Sequence, residues 1–171
     1  LFGLGMITVL GALYGKTRLK IFLKPMKRGK TGMFILLLVL SFIVAFGSAA
    51  LLNSLGFPGT SHPASESTQN YTLAKSLIFL FFLFFSMIGE ELLIAILTFP
   101  IWGWLKGKGI KPWLSFLVSA IFTCLIFGMF HLPAYQWNWT QCLLTIGLTR
   151  LPYSYAWKEM DSLWGGIIVH F

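Results

Sequence analysis

Three stretches of this chain are apolar for too long to be ordinary parts of a soluble fold. Residues 33–55 and 113–130 are each close to the roughly 20 apolar residues that carry an α-helix across a bilayer. Residues 73–105 are longer than one crossing requires, so that helix is expected to tilt or to break near Pro100. Composition agrees. The chain is 57% hydrophobic and 11% charged, against about 25% charged residues in a soluble domain. A soluble core of this size could not hide so much apolar surface.

The fold class that follows is all-α: a polytopic transmembrane helical bundle with about five to six helices in view. Residues 1–14 read as the end of a span. They lack the basic start and cleavage site of a signal peptide. Residues 56–71 are polar, without Lys or Arg, and read as an extracytoplasmic loop in which His62 is solvated. Residues 131–139 form an aromatic turn, residues 140–157 a less hydrophobic helix, and Ser162 begins another. Both ends fall inside apolar runs, so the chain is expected to be a fragment truncated at both ends. Residues 1–171 form a single domain.

The net charge of +8 is localised, because seven of the 13 basic residues fall between Lys16 and Lys30. That stretch, Lys106–Lys108–Lys111 and Lys158 alternate with uncharged connections. They therefore mark the cytoplasmic side by the positive-inside rule, where anionic lipid is the expected partner. No recognition motif accompanies the charge, so nucleic acid is not an expected partner. Cys124 and Cys142 sit in apolar segments and read as small buried residues.

Against this background, a few polar residues stand out. Glu90 and Glu91 are adjacent inside the apolar run 79–99. A charge at mid-membrane costs about 2.5–3.5 kcal/mol on insertion scales, and such residues usually face the bundle interior or a wet cavity. Successive helical side chains diverge by about 100°, so one carboxylate can face a cavity while the other braces a neighbour. His131 closes the next span, with Phe127 one turn earlier on the same face. His170 lies in a further apolar segment, and Arg150 sits between Leu148 and Leu151. An intramembrane cation should pair with a carboxylate or reach an interface. Imidazole can hold a metal, act as acid or base, or donate to a developing oxyanion.

Gly89-Glu90-Glu91-Leu92-Leu93-Ile94-Ala95, Phe127-Gly128-Met129-Phe130-His131 and the segment from Ser162 to His170 occur in that order. This order resembles the CPBP family of intramembrane proteases, also called the Abi or CAAX-protease-like family. Its pattern is Glu-Glu-x-x-x-Arg, then Phe-x-x-x-His, then His-x-x-x-Asn or Asp. The resemblance covers residues 73–171, the region corresponding to the protease core. Ala95 stands at the family's arginine position, and Arg150 is expected to replace that arginine from another helix. The family's Asn or Asp would fall four residues beyond His170, after the last residue, Phe171.

The resemblance implies an intramembrane endopeptidase acting on a membrane-associated peptide or protein. Glu90 would activate water, Glu91 would support it electrostatically, and His131 and His170 would orient water or stabilise the oxyanion. Phe127 and Arg150 would support the site. Two histidines and a glutamate (Glu90, His131, His170) also match a set that binds a divalent metal such as zinc, although the water-activating reading requires no cofactor. Two rivals differ in class. One is a non-catalytic bacteriocin self-immunity or membrane sensor protein of the same fold; the other is an ion-coupled transporter. The expected location is a plasma membrane, bacterial in origin.

Overall fold

The computed structural model describes residues 2–171, with the side chains of Phe2, Leu4, Leu13, Lys16, Arg18, Leu19, Ile21, Pro63, Ala64 and Glu66 excepted. Leu1, the start of the first expected span, lies outside the described residues. The chain folds into α1 (Phe2–Phe22), α2 (Thr31–Ser54), the short α3 (Pro63–Thr68), α4 (Leu73–Gly107) and α5 (Pro112–Phe130). A 3-10 turn (Leu132–Tyr135) and a π-helical segment (Gln141–Gly147) follow, the latter running directly into α6 (Leu148–Met160) and then α7 (Leu163–His170). No strand occurs among the described residues. Of these helices, α2, α4 and α5 are long and apolar enough to cross a membrane. The expected all-α membrane bundle is what forms.

Local chemistry sets several boundaries. The Thr72 side chain accepts from the Lys75 amide at the start of α4, Pro112 opens α5 where its missing N–H costs nothing, and Ser162 caps α7 through the Trp164 amide. Other boundaries differ from expectation. The basic stretch from Lys16 is not all loop: α1 continues to Phe22 through a break at Gly15, whose φ of 78° suits glycine. The side chains of Lys16 and Arg18 lie outside the described residues. α4 does not break at Pro100, which is exposed on its outer face, and its 35 residues extend for about 52 Å. The expected helix over residues 140–157 starts as a π-helix and becomes α-helical only at Leu148.

α4 packs against α1, α5 and α7, while α6 packs against α7 and α2. The main core gathers Leu92, Ile94 and Ala95 of α4, Phe116 and Ala120 of α5, Trp157, and Ile167 of α7. In lipid, small and hydroxylated residues let helices approach. Ser115, Ser119 and Thr123 are all fully buried on one face of α5. A Cβ on Gly128 would collide with the carbonyl oxygen of Cys142 in the π-segment.

The lysine-rich end is strapped. The connection between α1 and α2 is held to the turn between α6 and α7 by Lys27 N–H to Met160 O (2.8 Å) and by the Trp164 indole N–H to Leu23 O (3.1 Å). The Ser162 hydroxyl donates to Lys24 O. Ion pairs join Lys24 to Asp161 (2.6 Å) and Lys30 to Glu159 (2.9 Å).

Between α4 and α5 the buried Thr98 and Thr123 hydroxyls meet at 2.8 Å. Such interhelical bonds in membranes couple by about 0.6 kcal/mol on average and by about 1.7 at most. A Thr98→Val/Thr123→Val double-mutant cycle on unfolding in detergent should return a coupling in that range. No measurable coupling would show that the contact does not hold the two helices.

Candidate functional site

Glu91 is the anchor. It points from α4 into the bundle and is fully buried, as is Arg150 of α6. Arg150 Nη2 lies 2.8 Å from Glu91 Oε1. The pair takes the place of an in-helix partner, because Ala95, one turn along from Glu91, is packed in the core. The Arg150 guanidinium also lies over Phe127, 4.3 Å from the ring centre, and near Tyr153 at 5.6 Å. Cation–π contact of this kind is strongest where both partners are desolvated.

His170 comes to the same carboxylate from the last turn of α7. Its Nδ1 is 3.0 Å from Glu91 Oε1 and 3.2 Å from Arg150 Nη1. Nδ1 cannot both donate to a carboxylate and accept from a guanidinium. The shorter contact to the anionic acceptor places the proton on Nδ1, directed at Glu91. Nε2 then faces Glu90 Oε2 at 3.8 Å, beyond direct hydrogen-bond range. The imidazole is stacked on Tyr153, with ring centres 4.7 Å apart.

Glu90, turned away from Glu91, lines a cavity of about 680 Å³. His131 caps α5 and lines the same cavity. Its Nδ1 is 2.9 Å from Phe127 O. A carbonyl oxygen only accepts, so this nitrogen carries the proton and Nε2 is left for the cavity. The structure therefore gathers all six residues singled out in the sequence. Glu90, His131, Phe127, Arg150 and His170 line the cavity, and Glu91 sits behind its wall. The metal set of Glu90, His131 and His170 does not assemble: no group of three or more His, Cys, Asp or Glu among the described residues could hold a metal ion.

Three cavity residues escaped the sequence reading. His62 is exposed but not merely solvated: it meets the Tyr135 ring edge-on, with centres 5.3 Å apart, and lines the cavity. Tyr135 lies on the 3-10 turn. Tyr153 could have been found from Arg150, since residues three apart share a helix face. Gly166 matters through its size. A Cβ there would meet the Trp157 ring, Glu91 Oε2 at 2.7 Å and Tyr153 O at 3.0 Å, so only glycine lets α7 approach this closely.

A family model described as "Type II CAAX prenyl endopeptidase Rce1-like" matches residues 72–171. The match begins at the N-cap of α4 and contains all six of these residues; α1, α2 and His62 lie outside it. No curated protein and no solved structure matches the chain.

Removing one member of a buried ion pair costs about 3–5 kcal/mol, because the other is left uncompensated. Arg150→Ala and Glu91→Gln should each lower unfolding stability in detergent by about that much, and the double variant by clearly less than the sum. Additive losses would show that the two charges do not compensate one another. Gly166→Ala should also destabilise, by displacing α7. Unchanged stability would mean that α7 yields at no cost.

Proposed function

We propose that this chain, which belongs to the Rce1-like family of type II CAAX prenyl endopeptidases, hydrolyses a peptide bond of a membrane-associated substrate inside the bilayer. The observation that carries the reading is the contrast between two adjacent carboxylates. Glu91 is fully buried between Arg150 and His170, while Glu90 faces the cavity and has, among the described residues, no hydrogen bond, only the 3.8 Å approach to His170.

In this mechanism Glu90 is the general base. A water lodged between Glu90 Oε2 and His170 Nε2 gives its proton to Glu90 as its oxygen attacks the scissile carbonyl. The carbonyl π electrons move to oxygen, forming the oxyanion. Glu90 then returns the proton to the leaving nitrogen as the C–N bond breaks. Each imidazole presents Nε2 to the cavity: a neutral ring accepts from the water and orients it, and a ring that enters the step already carrying both protons donates its Nε2–H to the oxyanion and keeps that proton when the intermediate collapses. Glu91 keeps His170 in the Nδ1–H tautomer, and Phe127 O does the same for His131. Arg150 holds Glu91, and Phe127 supports Arg150. Arg150, the one Lys or Arg lining the cavity among the described residues, is thus engaged by Glu91, which favours an internal peptide bond over recognition of a free terminal carboxylate.

The purified protein in detergent, offered a library of membrane peptides, should cleave; Glu90→Gln should lose that cleavage while keeping wild-type stability. Removing the base should cost on the order of 10²–10⁴ in rate. Cleavage that survives a chelator fits a carboxylate-activated water. Cleavage by Glu90→Gln at the wild-type rate would remove Glu90 from the mechanism.

A further inference from the structure

The cavity has a sidedness that the fold makes readable. It runs from Glu90 and His170 past Phe79, Phe82 and Ile146 to His62 and Tyr135. His62 belongs to the connection between α2 and α4. Tyr135 belongs to the connection after α5. This corner is tied together by Asn138 Nδ2 to Pro58 O (3.1 Å), Gln141 Nε2 to Thr60 O (3.0 Å) and the Thr60 amide to Gln141 Oε1 (2.8 Å). Residues 56–71 and 131–140, which make up the corner, contain no Lys or Arg.

The opposite end is closed and basic. Below the Tyr153–His170 stack lie Trp157, Leu163 and Ile167, each at most 3% exposed. Beyond them is the strap from Leu23 to Lys30. Lys24, Lys27, Arg28 and Lys30 lie at this end, as do Lys106, Lys108 and Lys111 at the turn between α4 and α5. Short connections rich in Lys and Arg stay cytoplasmic.

We propose that the cavity opens on the extracytoplasmic face, and that the substrate is an apolar peptide segment presented from that face. On the proposed hydrolytic reading, this is the part of a membrane-anchored or exported polypeptide exposed outside the cytoplasm. Phe79, Phe82, Leu83, Met87 and Ile146 supply an apolar wall for its side chains. The chemistry lies at the inner end, beyond this wall.

Accessibility tests the opening independently of proteolysis. Cys124 and Cys142 are fully buried, so the unmodified chain gives a low labelling background. Ser86→Cys probes the cavity wall, His62→Cys its rim and Lys108→Cys the basic end. Each would be treated with a charged, membrane-impermeant maleimide in sealed right-side-out and inverted vesicles. The expected result is labelling of Ser86→Cys and His62→Cys in right-side-out vesicles and its loss in inverted ones, with Lys108→Cys showing the reverse. Labelling of Ser86→Cys from the Lys108 side, from both sides or from neither overturns the proposed opening. Labelling of Lys108→Cys from outside overturns the orientation. In sealed vesicles of the unmodified chain, an apolar peptide added outside should be cleaved. Expected labelling without cleavage from either side would leave the opening standing and count against the hydrolytic reading and the substrate assigned to it.

Discussion

An ion pair between Glu91 and Arg150, fully enclosed in a membrane bundle, sets conditions for everything around it. Withdrawing two charges from water costs several kcal/mol for each ion, and their attraction offsets this only when geometry and further polar contacts are good. Here the contacts come from different helices. Arg150 arrives from α6, His170 from α7, and Phe127 of α5 lies under the guanidinium. Four helices therefore converge on a charge pair that tolerates little displacement. A slide of α7 by one residue would move His170 by about 1.5 Å along its axis and break its contact with the buried carboxylate.

Such convergence requires close backbones, and the bilayer changes how they are obtained. Lipid tails are as apolar as leucine, so burying large side chains gives little drive for helix association. The chain places Phe42, Phe46 and Phe81 outward, each more than half exposed, while Ser115, Ser119 and Thr123 are buried. Gly128 and Gly166 occupy the tightest approaches beside the site. The first brings the π-segment against α5. The second brings α7 against α6 and the Glu91 carboxylate. The wider turn of a π-helix at functional sites is a recurrent feature, and this one ends one residue before α6, the helix that carries Arg150.

The helices over 33–55 and 113–130 were legible because long apolar runs have one good solution in a bilayer. The structure places them at Thr31–Ser54 and Pro112–Phe130. Glu90, Glu91 and Arg150 were legible for a related reason: a charge in such a run needs a partner or a cavity. Partner identity was readable only through the family resemblance, which expects an arginine where this chain has Ala95 and so left Arg150 to supply the cation from another helix. The π-segment was not legible. Its close approach to α5, Cys142 against Gly128, joins residues 14 apart and leaves no periodic trace. His62 was missed because its place depends on the Thr60–Gln141 pairing, 81 residues apart in sequence. A polar loop read by itself gives no sign of the cavity it borders.

The two neighbouring carboxylates show how one local geometry produces two different environments. A helical step of about 100° separates them, enough to put one among Arg150 and His170 and the other at the cavity. Exchanging the two environments is not open to this backbone. Glu91 Oε1 already has its cation and imidazole, and its other oxygen lies beside Gly166, where α7 closes over it. Water cannot reach Glu91 without displacing that helix. Glu90 has the opposite situation, with open volume before it and the Nε2 of His170 at 3.8 Å. Because His170 uses its Nδ1 proton to satisfy Glu91, the nitrogen facing Glu90 is the one left free for chemistry. The buried pair therefore also determines which nitrogen of His170 the cavity receives.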